Sequence, residues 1–244
     1  MSGHFSVGIM QPYFFPYLGH FALIAHTDAW VVFDITQYTP KTWMNRNRVL
    51  HPNGGPNWVS VPLAHASISI TSAQARVADM AGTARSVLGK LSHYRRKAPH
   101  YQAVVDLVSG VFDSAAGDDS LVHLNLAGLR AVCRYLDLPF APRICSELAL
   151  DLPADLGPGD WALEIASRLG ADAYLNPIGG RALFDPAAYA ARGVRLEFLD
   201  MPTLHYATGP WEPVPGLSII DALMWNEPAS LRDFLLGSAR LEVG

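Results

Sequence analysis

One fifteen-residue stretch brings together Asp34, Gln37, Tyr38, Lys41, Asn45, Arg46 and Arg48. Three cations so close together suit a phosphate, since arginine presents a planar fork of donors and lysine a point charge. Charge alone leaves a solvated basic loop equally open, and the amides and Trp43 interleaved among the cations favour binding. Asp34 ends an apolar run. It could serve as a general base, accept a ligand hydroxyl or cap a helix, and hydroxyl recognition is the preferred reading. A second cluster, "KLSHYRRKAPHY" (90–101), carries His93, Arg95, Arg96, Lys97 and His100. On a helix such a run is ordinarily a solvated face. The alternative is a second anion-binding edge across a cleft, with His93 and Lys97, four apart, on one side.

A third set opens the chain, in "VGIMQPYFFPYLGHFALIAHTDAWVVFD" (7–34), where Gln11, Tyr13, Tyr17 and His20 follow an apolar run. Free N–H groups at a helix start favour an anion near His20. The Gly-His step is similar to the HxGH loop of adenylyl- and cytidylyl-transferases, although Tyr17 stands where the first histidine belongs. The competing reading is a partly buried cap histidine. Tyr13, Phe14, Phe15 and Tyr17 either cover the core or wall a base or sugar ring. In "NPIGG", Asn176 precedes Gly179 and Gly180, which permit close backbone approach or form a plain turn. Asp221 and Asn226 flank Leu223 and Met224, and a cap or an arginine partner is the simpler role for Asp221.

These residues need elements to position them. Residues 5–11 and 29–35 read as buried strands around a short helix at 19–27, giving a βαβ unit that is most often parallel. Residues 37–63 read as a polar loop with a strand at 58–62, punctuated by the Asn53-Gly54-Gly55-Pro56 turn. From about 80 to 138 the pattern is helical, with Val104, Val108, Val111 and Phe112 on one face. A second helix follows Asp118, Asp119 and Ser120, the candidate caps. A helix at 159–169, strands at 172–180 and 194–200, and one or two closing helices complete the pattern. The expected fold is α/β, a mostly parallel Rossmann-like sheet with a helical insertion at about 80–138, all in a single domain spanning 1–244. In such sheets ligands lie beyond the carboxyl ends of the strands, which places loops 11–20, 34–48 and 176–181 together.

Half of the 244 residues are apolar and 16% are charged, so a packed core is expected. A net charge of −4 and a pI near 6.1 argue against broad binding to DNA or a membrane surface. Two cysteines without metal-ligand spacing fit a reducing cytoplasm and predict no metal site. Neither a GxSxG elbow, a Walker loop nor a GxGxxG turn is present. Cys145 reads as a small core residue in preference to a thioester nucleophile.

Five blocks in order, "MQPYFFPYLGHFALI", "VFDITQYTPKTWMNRNRV", "HYRRKAPHY", "NPIGG" and "LSIIDALMWN", resemble the WbqC-like protein family over residues 8–236. The resemblance implies a transferase of bacterial O-antigen or specialised-metabolite biosynthesis that attaches an acyl or aminoacyl group, such as glycyl, to an amine of a nucleotide-linked sugar or carrier-linked intermediate. The residues it carries over are Gln11, Pro12, Tyr13, Asp34, Gln37, Tyr38, Asn45, Arg46, Arg48, His93, Tyr94, Lys97, Asn176, Gly179, Gly180, Asp221 and Asn226. The family has tyrosine where this chain has His20, which removes His20 as a shared catalytic group. In the expected mechanism Arg46, Arg48 and Lys97 hold phosphate, Asp34 or His93 accepts the amine proton, and Gln11, Asn45 and Asn176 orient the substrate or an oxyanion. Tyr13, His20, Gln37, Tyr38, Lys41, Gly179, Gly180 and Asn226 are further binding candidates. The donors implied are a phosphopantetheine or CoA thioester, or a nucleotide with magnesium. An acyl carrier protein is the macromolecular partner implied. The alternatives are a nucleotidyl-transferase and a non-catalytic protein binding a sugar nucleotide or carrier.

Overall fold

Val7 and Ile9 point to one side of β1 (Ser6–Met10), and Gly8 and Met10 to the other; both sides are covered. β2 (Ala29–Val32) repeats the alternation, with Val31 on the first side and Trp30 and Val32 on the second. The computed structural model describes residues 4–65 and 69–244. Its main sheet has six strands in the order β5-β2-β1-β6-β7-β8, where β5 is Pro142–Ile144, β6 Ala173–Pro177, β7 Arg195–Asp200 and β8 Arg240–Val243. All neighbours are parallel except β7 and β8. This is the mostly parallel Rossmann-like sheet expected. Gly8 lies opposite Trp30, and a Cβ there would meet the indole ring at 2.8 Å, so the glycine lets that ring lie flat on the strand.

One face of the sheet is covered by α5 (Asp160–Arg168) and α6 (Pro186–Ala191). The other meets α1 (Leu18–Ala25) and α8 (Pro228–Gly237), with α7 (Ile219–Trp225) beside them. Beyond these, α2 (Met80–Leu91), α3 (Tyr101–Ser114) and α4 (Leu121–Tyr135) form the helical layer expected near 80–138 and extend the same core. Ser120 caps α4 by accepting the His123 N–H.

Three local expectations are corrected. The stretch read as a polar loop with one strand at 58–62 is a hairpin: that strand is β4 (Pro56–Ser60), it pairs antiparallel with the unexpected β3 (Arg46–Leu50), and the turn between them uses Gly54 and Gly55 at positive φ. The alternation was masked because the first inward position is an amide, Asn47, between two outward arginines. β2 ends at Val32, short of Ile35, where the chain leaves the sheet. His93 and Lys97 share no helix face: α2 stops at Leu91 and Ser92–Arg96 is a 3₁₀ turn, whose three-residue period separates positions four apart. β8, with all its side chains exposed, carries no burial pattern to announce it.

Candidate functional site

The chain runs outward from β1 to β2 and β5, then returns to β6 on the other side of β1. Loops at the carboxyl ends of strands beside such a reversal enclose ligand crevices. A cleft of about 470 Å³ lies at this rim. Its walls are Tyr17, Leu18 and Gly19 after β1, Met201–Tyr206 after β7, the Pro213–Leu217 segment, and Ala222 on α7. A smaller pocket of about 140 Å³ adjoins it, lined by Tyr13, Pro16, Trp43 and Asn47, with Tyr17 and Gly216 bordering both. Tyr17 is exposed and its ring lies over Gly19, leaving no room for a Cβ there.

The aromatic loop therefore divides its labour. Phe14 and Phe15 are buried in the core, whereas Tyr13 and Tyr17 face the two cavities. Phe15 adopts φ 40°, a costly left-handed conformation for a bulky residue. Neighbouring elements hold it there. Asn47 Nδ2 donates to Phe14 O (3.1 Å) and Phe15 O (2.9 Å), and Ser218 Oγ donates to Phe15 O at 2.7 Å. Asn125 Nδ2 donates to Pro12 O and Met44 O, and the Ile219 N–H to Pro16 O. The hairpin, α4 and α7 thus fix the cleft wall through buried amides.

On the hairpin, Trp43 and Trp58 are exposed and stacked at 5.8 Å. The Arg46 guanidinium lies 4.1 Å over Trp58, and Arg48 lies 5.4 Å from Trp43 while donating to Gly216 O at 3.2 Å. Neither guanidinium is paired with a carboxylate among the described residues. Behind the main cleft lies Asp221, fully buried in the first turn of α7. It accepts Tyr94 Oη at 2.6 Å and Tyr206 Oη at 2.7 Å, and Tyr94 Oη accepts the Leu50 N–H.

The residues singled out from sequence are distributed over several places. Tyr13 lines the smaller pocket, Arg48 reaches Gly216, which borders both cavities, and Arg46 lies over Trp58. Neither arginine nor Lys97, which is exposed on the 3₁₀ turn, lines its wall, so no cationic hollow forms there. Asp34 is buried at the end of β2 and accepts Ser146 N–H (3.0 Å) and Oγ (2.6 Å), which ties it to the segment after β5. Gln11 donates to Thr36 Oγ1 at 3.2 Å. Tyr38 is buried, Gln37 and Lys41 are exposed in the loop before the hairpin, and Lys41 takes a positive φ. Asn45 Nδ2 donates to Val61 O at 3.3 Å, a bond within the hairpin region. His93 is half-buried against Tyr94 and Trp211, and burial lowers its pKa. Asn176 binds Tyr174 Oη and Pro177 O beside Gly180, where its side chain fills the space a Cβ would need; Gly179 is open. Asn226 closes α7 on Ala222 O.

His20 is enclosed by Tyr13, Phe21 and Trp30, and neither ring nitrogen has a hydrogen-bond partner among the described residues. Burial pushes its pKa down to about 3, so it is a neutral core residue and not an anion contact. Burial, aided by the Asp34 charge, holds the Cys145 thiol up at about 11, which leaves it un-ionised near neutrality. The residues that sequence reading passed over are those of the 201–217 loop, above all Tyr206. Their signal was a long segment rich in proline and aromatics placed directly after a strand, the kind of loop that carries function.

A model of the WbqC-like protein family matches residues 11–233, and the chain belongs to that family. An uncharacterized protein of Mycobacterium tuberculosis (strain ATCC 25618 / H37Rv), Rv1507c, is 25% identical over 230 residues, covering 94% of this chain and 96% of the relative. No solved structure matches the chain.

Proposed function

Taking the chain as a WbqC-like protein with this rim, we propose that it is a transferase moving an acyl or aminoacyl group onto an amine of a small biosynthetic intermediate, nucleotide-linked or carrier-linked. The observation that carries the reading is the wall of the main cleft. Leu18, Met201, Leu204, Val214, Leu217 and several prolines make it largely apolar, while Tyr17, His205 and Tyr206 supply a few polar groups. An apolar wall with sparse, directed polarity suits attack of a neutral amine on an activated carbonyl. The first turn of α1 opens into the same wall at Leu18 and Gly19, and no side chain caps it. Its free N–H groups are the kind of donor that a carbonyl oxygen gathering negative charge requires.

The hairpin supports a phosphate-bearing substrate. Arg46 and Arg48 stand two residues apart on one strand face, lie on exposed indoles, and have no acidic partners among the described residues. The narrow pocket between Tyr13 and Trp43 shares Tyr17 and Gly216 with the cleft, and Arg48 donates to Gly216 O. A pantetheine arm suits such an apolar passage, with its phosphate at the arginines. The buried, neutral His20 weighs against a nucleotidyl-transfer reading that depends on a histidine at the α1 start.

The test is turnover by the full chain. Glycyl- and acetyl-thioesters of pantetheine, phosphopantetheine and CoA are incubated with free and nucleotide-linked amino sugars, and products are read by mass spectrometry. A new amide is expected from at least one pair. Arg46→Ala should raise KM for the phosphorylated substrate about 10- to 100-fold, the range of a lost charge-assisted hydrogen bond. Saturable binding of these compounds without amide from any pair would replace the transferase with a binding protein.

A further inference from the structure

We infer that the Tyr206 hydroxyl is the proton-handling group of the cleft, and that Asp221 and Tyr94 are the positioning residues that hold it and store its proton. The inference rests on the transferase reading and names the group that reading lacks. Asp34 and His93, the carboxylate and imidazole expected to fill that role, do not line the cleft. Tyr206 does, in the segment directly after β7. Its Oη donates to Asp221 Oδ2 at 2.7 Å, and a hydroxyl oxygen that donates once keeps lone pairs with which it can accept a proton. Asp221 is shielded from solvent, and its other oxygen is occupied by Tyr94 Oη at 2.6 Å, itself fixed by the Leu50 N–H at 2.8 Å. The acid is thus tied to the hairpin through Tyr94 on one side and to a residue of the cleft wall, Tyr206, on the other.

The transfer balances along this path. The amine nitrogen donates its lone pair to the carbonyl carbon, and the C–N bond forms. The surplus proton on nitrogen passes to Tyr206 Oη as Tyr206 passes its own to Asp221 Oδ2. The bond to the leaving group breaks with its electron pair, and the proton returns through Tyr206 to that group. Tyr206 finishes neutral and Asp221 ionised, as they began. Burial supports this order: it raises the Asp221 carboxyl above the usual carboxylate range and makes it a better base, and it raises the Tyr206 hydroxyl so that no free tyrosinate need form. A purely structural Tyr94–Asp221 tie between hairpin and α7 would not require a third partner lining a cavity.

Two measurements on the full chain decide the matter. With any donor and acceptor pair that wild type converts, Tyr206→Phe should lower kcat about 100-fold or more while KM stays within about threefold, the signature of lost acid–base work. Tyr206→Phe with wild-type kcat overturns the relay and leaves the transferase reading standing. Absence of amide from every pair fails that reading instead, and the second measurement then tests the Tyr206–Asp221 hydrogen bond that the relay requires. In protein labelled with ¹³C at aspartate side-chain carboxyls, the Asp221 resonance, assigned with Asp221→Asn, should titrate above the usual range. Each of Tyr94→Phe and Tyr206→Phe removes a donor to the anion and should move its midpoint higher. An ordinary midpoint that Tyr206→Phe leaves in place overturns the relay whether or not transfer is found.

Discussion

His20 shows how one side chain can mislead by position and be explained by burial. Its place at the start of α1 invites an anion, yet its ring packs 5.1 Å from the Trp30 ring and 5.6 Å from Tyr13, with both nitrogens unpartnered among the described residues. The folded state keeps it neutral down to about pH 3, while an unfolded histidine takes up its proton near 6.5. Between those values the unfolded chain binds more protons, so stability is complete above about 6.5 and declines as pH falls toward 3. Each pH unit in that window costs about 1.4 kcal/mol from this group alone. His20→Phe should therefore flatten the acid side of the stability profile. Urea unfolding at pH 7 and pH 5 should show a smaller loss for the variant than for wild type, and equal losses would mean that the ring is solvated or paired.

At the scale of elements, the cleft is positioned by loops that other elements tie down. The 11–17 segment places Tyr13 and Tyr17 because Asn47 on the hairpin, Asn125 on α4 and Ser218 before α7 satisfy its carbonyls. Asn47→Ala leaves two buried carbonyls with fewer donors beside the strained Phe15, at a cost of about 2–3 kcal/mol. The lowered urea midpoint should come with faster hydrogen exchange in residues 12–17, and unchanged exchange there would show that Asn47 does not hold the loop. The hairpin was hard to read from sequence for a related reason. Asn47 points inward to bond a neighbouring loop, a tertiary use that interrupts the apolar alternation by which strands announce themselves. The buried strands β1, β2 and β6, and the helices between Met80 and Tyr135, were legible because their apolar periods match what they pack against. Asp34 was legible as a strand-end carboxylate, but not its partner Ser146, which lies 112 residues away in the chain.

Over the whole molecule, the sheet reversal at β1 decides where chemistry can sit, and the alternation of elements already pointed to that rim. What sequence could not disclose is which rim loops share a space. Arg48 reaches the rim at Gly216 through the hairpin, Asp34 is drawn off toward β5, and the 201–217 loop comes in as the far wall with Tyr206 and, behind it, Asp221. That grouping depends on distances between segments far apart in sequence, and no local pattern encodes them.

The most direct measurement fills the cleft and asks what is lost. Full-length protein and Thr203→Trp, which adds an indole at the cleft wall, are each passed through a pool of sugar nucleotides, amino sugars and acyl-pantetheine compounds, and the retained molecules are identified by mass spectrometry. Wild type should keep at least one compound, and Thr203→Trp, with the same thermal midpoint, should keep none. Equal retention by the two proteins would place the ligand elsewhere and contradict the assignment of the cleft.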